Sequence, residues 1–353
     1  MMQVGVVCAC AFWATLLQEN IPGGAAAGEG KPLPDEITFQ VAVAIDDLLY
    51  DVLRTDYEAK LYIVAFFNAI NLLFSTMTEP RIKFDFATFI PKEHEFRKEM
   101  LDLEGNEVNA PGSFDKIKAY NSKSTALDGN DIIIVMTKRR VFTKLKTGVK
   151  EYSPQGLAWD GGVCDKNKNM IVLHDDGRYY SGLQNGAFQL ARILGGRTAC
   201  YANFKKYTTN REPFHHTECG VASMRSFLGK MDAKKRCACL RKGIQDPVSQ
   251  HLDDRVPYQM LNLEDFCSKR FDPEQVNHEP CTMQQLYSYS KPSKLGYCEF
   301  DCCWGGLMAL GTVPKIYYAF DGITCAGSND NRCVAGRCVK EKVTTQFVYP
   351  EEC

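Results

Sequence analysis

Phe39, Val41, Val43 and Ile45 alternate through Thr38 to Ile45 (TFQVAVAI), and that period of two on a β-branched stretch predicts a strand. The period then lengthens. Leu61, Ala65, Phe66, Ile70 and Phe74 recur at helical spacing through Tyr57 to Phe74, which predicts a long, largely buried helix. Arg81 to Ile90 predicts a further strand. Asp131 to Met136 (DIIIVM) is apolar almost throughout, the mark of a central strand covered on both faces. Met170 to Leu173 adds one more strand. Gln184 to Gly196 adds a helix whose stripe runs through Leu183, Ala187, Leu190, Ala191 and Leu194, with Gly195-Gly196 as its stop. Strands and helices in this succession predict an α/β (α+β) fold around a mixed sheet.

The flanks of this pattern differ from it. Val4 to Leu17 is an apolar run too short for a comfortable membrane span but suited to the h-region of a secretory signal. Residues 1–22 are therefore expected to be signal-like, with a buried N-terminal strand or helix as the competing reading. Residues 23–36, rich in Gly, Ala and Pro, read as a linker. Beyond Gly196 the periodicity fades and cysteines thicken.

Of the 16 cysteines, Cys8 and Cys10 fall in the apolar run, and the remaining 14 are an even number, as an oxidised exported protein would have. Cys164, Cys200, Cys219, Cys237 and Cys239 lie in the α/β part. Cys267, Cys281, Cys298, Cys302, Cys303, Cys325, Cys333, Cys338 and Cys353 follow. If Cys267 closes the first group, each part can pair internally. The boundary is accordingly expected near Arg270, giving a domain over 37–270 and a cysteine-rich, disintegrin-like tail over 271–353. A bridge between the two is the open alternative. The formal net charge is -1 and no Lys/Arg-rich block reverses it locally, so nucleic acid is not expected as a partner. No membrane span is expected after removal of the signal.

Several landmarks stand in a fixed order. Gly161-Gly162-Val163-Cys164 precedes the strand Met170 to Leu173 and the acidic Asp175-Asp176. The helix Ala187-Phe188-Gln189-Leu190-Ala191-Arg192-Ile193-Leu194-Gly195 follows, then Glu218-Cys219-Gly220-Val221-Ala222-Ser223. Near the end comes Asp321-Gly322-Ile323-Thr324-Cys325, with Cys333 and Cys338 around Ala335-Gly336. Over about residues 37–345 this order resembles the adamalysin/reprolysin branch of the metzincin metalloproteases, above all the tick salivary group. Those enzymes carry GGxC, a strand, a His-Glu-Leu-x-His helix, a Cys-x-x-Met-Ser turn and an Asp-Gly-Thr-x-Cys tail.

The resemblance implies a zinc site held by three imidazoles, with a carboxylate to take a proton from the metal-bound water. Laid on this chain, the first ligand position is Phe188, the base Gln189, the second ligand Arg192 and the third ligand Thr198. The turn methionine aligns with Ala222, or with Met224 after a slip. Phenylalanine has no donor atom, and a glutamine amide takes no proton near neutral pH. A fixed guanidinium at about 4 Å from a divalent ion would be repelled by roughly 8 kcal/mol at an effective dielectric of about 20. No metal and no cofactor is therefore expected, although zinc belongs to the family.

The six histidines are His94, His174, His215, His216, His251 and His278. His215-His216 are expected to be solvated loop residues rather than a ligand pair, and Cys237-Ala238-Cys239 and Cys302-Cys303 to be disulfides rather than a zinc site. The carboxylate pairs Asp175-Asp176 and Glu93-Glu95 are expected at charged strand ends and helix faces. The resemblance implies a secreted, extracellular protease homologue without activity that binds host proteins of haemostasis, matrix or immunity in saliva. The alternatives are an active secreted zinc endopeptidase with atypical ligands, and an adhesive protein with no cleft function.

Overall fold

The computed structural model describes residues 33–340 apart from 92–98, 124, 153–154, 202–213, 232–238, 240–246, 253–254, 262–278, 281–297, 303, 306–314, 319–321, 323, 326–327 and 335. The signal-like segment, His94, Cys237, Cys267, His278, Cys281, Cys303, Cys353 and the expected boundary at Arg270 lie outside the described residues.

The main sheet is built from β1 (Glu36–Ile45), β2 (Arg81–Ile90), β5 (Ile132–Thr137), β8 (Gly156–Ala158) and β9 (Met170–His174), in the order β2-β1-β5-β9-β8. The first four in that row run parallel, and β8 pairs antiparallel with β9 at the edge. The alternation in the sequence sorts side chains onto two faces. Phe39, Val41, Val43, Ile45, Ile134 and Leu173 point to one, where they pack with α2 (Asp56–Phe74) and α4 (Leu183–Ile193). Ala42, Ala44, Ile133, Val135 and Val172 point to the other and meet Ala110, Phe114 and Ile117 of α3 (Ala110–Asn121). The apolar run of β5 is thus covered on both faces, as its composition predicts, and the fold is a mixed α/β sandwich.

The helix expected over Tyr57 to Phe74 is α2, and its Thr55 side chain caps the first turn by accepting from Glu58 N. Four elements go beyond the apolar pattern: α1 (Asp47–Leu53), α3, a small sheet of β3 (Leu103–Glu104), β4 (Glu107–Asn109), β6 (Arg140–Lys144) and β7 (Lys150–Glu151), and α5 (Glu218–Lys230). The last corrects an expectation. Residues 218–223 were expected as the family's turn, yet they open a thirteen-residue helix, capped by the Thr217 hydroxyl on Gly220 N. Ala222 is exposed on it and Met224 is buried in the main core.

Disulfides join Cys164 to Cys239, Cys200 to Cys219, Cys298 to Cys333 and Cys325 to Cys338. None of these four crosses residue 270. The C-terminal segment is held by bridged hairpins: Glu299–Cys302 pairs with Lys315–Tyr318, and Ser328–Val334 pairs with both Thr324–Cys325 and Arg337–Lys340. Val334 reaches the main core cluster.

Candidate functional site

Helix α4 carries Phe188, Gln189 and Arg192, and its surroundings fix it at both ends. Asp175, just after β9, is fully buried. It accepts from Tyr62 Oη at 2.6 Å, Gly177 N at 2.7 Å and Gly182 N at 2.8 Å, so it ties the entry of α4 to α2. Burial, then the nearby Asp176, push its carboxyl up to about 6 against these hydrogen bonds. Asp175 stands at a strand end as expected, but it is buried there and its oxygens are consumed by the turn that starts the helix. Asp176 accepts from the backbone of Arg178 and Tyr179.

At the other end Gly195 sits at φ +86, and a Cβ there would fall 2.4 Å from Phe227 of α5. Gly161 faces the same Phe227 ring at φ +66. Its amide donates to Arg192 O at 3.0 Å, and that of Val163 to Ile193 O at 3.2 Å. The GGxC loop and the exit of α4 therefore close around one aromatic side chain. The Cys200–Cys219 bridge and the Arg197 N to Ser223 Oγ bond hold the following turn onto α5.

Between these ends, the four motif positions have separate occupations. Phe188 is fully buried, edge-on to Tyr201 at 5.8 Å and to Phe214 at 6.5 Å between ring centroids. Gln189 is also fully buried. Its Nε2 donates to Gly156 O of edge strand β8 at 3.1 Å and to Asn185 Oδ1 at 3.2 Å, while its Oε1 accepts from Arg192 Nη1 at 3.2 Å. Arg192, 14% exposed, turns outward to Asp160, with Nε to Oδ1 at 2.8 Å. Thr198 opens a single 3-10 turn, Thr198–Tyr201, and is half-buried.

This donor set does not fit a zinc ion. The Phe188 position offers carbon, the Gln189 oxygen already receives a guanidinium N–H, and the Arg192 charge is spent on Asp160. The groups of three close ligand atoms among the described residues are Cys298 with Cys325 and Cys338, and Asp131 with Cys164 and Cys239, and every one of those sulfurs is in a disulfide.

Sequence reasoning missed the part played by His216. His215 is exposed, as a solvated residue should be, but His216 enters an aromatic box. Its ring lies 4.3 Å from Phe74, 5.1 Å from Phe214 and 6.4 Å from Tyr201, centroid to centroid. Its Nδ1 meets Tyr201 Oη at 3.4 Å, and its Nε2 is sealed from solvent without a hydrogen-bond partner. Burial, with His215 adding to it, pushes this imidazole down to about 3. The aromatic residues at 201 and 214 were the available signal.

Strand β8 completes the neighbourhood. It has β9 as its sheet neighbour and no further strand on its other side among the described residues, where Gln189 holds the Gly156 carbonyl. Trp159, 44% exposed, follows it. Two buried polar atoms beside Gly156, Gln155 Oε1 and Asn185 Nδ2, have no protein partner.

No protein-family model matches the chain, and no curated protein does. Solved structures do. A metalloproteinase-II from Bacteroides fragilis aligns at 13% identity and a TM-score of 0.36, over 57% of this chain and 58% of that one. A structure of a chaperone–substrate complex aligns at 11% identity and a TM-score of 0.32, over 46% of this chain and 24% of that one. The chain thus spans less than two thirds of either, and both are likenesses of backbone course alone.

Proposed function

We propose that this chain is a secreted reprolysin-like protease homologue whose zinc position has become a structural joint, and that it acts by binding extracellular host proteins. The observation that carries the reading is the joint itself. Phe188 fills space, Gln189 holds β8 to α4, and Arg192 pairs with Asp160, so these three positions serve the packing of the fold. Four disulfides among the described residues support an oxidising compartment. Among those residues no helix is long and apolar enough to cross a membrane. Beyond the Gly156 carbonyl held by Gln189, the end of β8 at Ala158 and the exposed Trp159 that follows are the surface on which a segment of a host protein would bind.

A second reading, an endopeptidase with atypical ligands, has one observation in its favour: the unpartnered Nε2 of His216. One imidazole stands there against the three such chemistry uses. Metal analysis of the full chain after oxidative refolding in excess zinc, with casein and fibrinogen as substrates, separates the two. The expected result is far less than one zinc per chain and no chelator-sensitive cleavage. One tightly held zinc with chelator-sensitive cleavage would overturn the proposal.

A further inference from the structure

Beside Tyr62 lies a groove of about 500 Å³, within the range of small-molecule sites. Three elements converge on it. The end of α1 contributes Val52, Leu53 and Arg54, one flank of α2 contributes Glu58, Leu61 and Tyr62, and the turn before α4 contributes Gly177, Arg178 and Tyr179. Met260 and Leu261, at the end of the short helix Pro257–Met260, close the remaining wall.

The chemistry of this lining is lopsided. Leu53 and Tyr62 are buried, and with Leu61, Met260 and Leu261 they make an apolar floor. Arg54 and Arg178 stand exposed at the rim, and neither guanidinium forms an ion pair with a described carboxylate. The nearby acids have neutral hydrogen-bond partners, and Glu58 itself lines the groove. Glu58 accepts from the Thr55 hydroxyl at 3.1 Å, Asp175 is buried under three donors, and Asp176 takes two backbone amides. The groove therefore carries two guanidiniums, Arg54 and Arg178, against one exposed carboxylate, that of Glu58, beside its apolar side chains. It is also rigidly floored, because the Tyr62 ring stacks on Tyr180 at 4.0 Å and its hydroxyl is tied to Asp175.

We propose that this groove binds a small amphipathic organic anion, with its apolar body on Leu53, Leu61, Tyr62 and Met260 and its carboxylate or sulfonate between Arg54 and Arg178. Burial of the tail supplies the affinity, and the paired guanidiniums supply the choice of charge. The site is independent of the α4 joint and of the end of β8, so it stands whether or not the protein is a protease homologue.

Calorimetric titration of the full oxidised chain with dodecanoate, below its micelle concentration, tests the assignment. One dodecanoate per chain is expected, with dodecyltrimethylammonium failing to bind or compete. R54Q together with R178Q, both exposed substitutions, should weaken dodecanoate by about tenfold or more. L61E should remove binding by setting a carboxylate against the ligand, with near-UV circular dichroism unchanged. Equal binding of the cationic amphiphile, unchanged affinity in the double glutamine variant, or no binding of dodecanoate by the parent chain would each overturn the proposal.

Discussion

Phe188, Gln189 and Arg192 share little more than one turn of α4, and each interacts with a different part of the molecule. Phe188 packs with the aromatic residues around it, Gln189 bonds to the edge strand, and Arg192 bonds to Asp160. Among the residues around them, His216 gives the sharpest test. Its imidazole protonates near 6.5 in an unfolded chain but only near 3 in the folded one. Between those values the unfolded state holds the extra proton, so this group makes stability fall as pH falls. Asp131 and Asp175 act in the opposite sense. Burial raises their carboxyls to about 8 and about 6, so their contribution falls as pH rises from the ordinary carboxylate range. The His216→Phe variant, which keeps the aromatic volume, should therefore lose less stability than the parent between pH 6.5 and pH 4. Urea midpoints at the two pH values measure this, and parallel losses in both proteins would refute the assignment.

At the scale of elements, the exit of α4 depends on a close approach. Gly195→Ala would place a methyl against Phe227 and force an L side chain to φ +86. A loss of more than about 1 kcal/mol is expected. Phe227→Ala in the same chain should recover part of it, which a double-mutant cycle on thermal or urea unfolding reads directly. The sequence made the motif helix and the sheet legible because their apolar residues repeat at 3.6 or 2. Alpha-5 escaped notice because Met224 and Leu228 are its large buried apolar residues, too sparse a stripe to stand out. The family pattern then imposed a turn on a stretch that Thr217 in fact caps as a helix. The resemblance picked out the positions of Gln189 and Arg192, but not their partners. Asp160 is 32 residues from Arg192 in the chain, and Gly156 is 33 from Gln189.

For the molecule as a whole, the covalent frame complements a core that already closes on both sheet faces. The Cys164–Cys239 bridge spans 75 residues and lies against the buried Asp131 carboxylate at the start of β5. Replacing both cysteines by serine should cost about 2–4 kcal/mol of stability, read as a lowered midpoint of thermal unfolding with the far-UV spectrum kept. Even cysteine numbers and their spacing indicated bridges. Which partner each takes depended on how α4, the GGxC loop and α5 meet, and no spacing encodes that.

The Arg192–Asp160 pair also sets a condition on any metal site built at this helix. A histidine substituted at 192 would strip Asp160 of its cation and Gln189 Oε1 of its donor in one step, before any metal could compensate. A histidine at 188 would put a polar ring among Tyr201 and Phe214. Each single substitution is therefore expected to cost folding stability before a set of metal ligands could be complete.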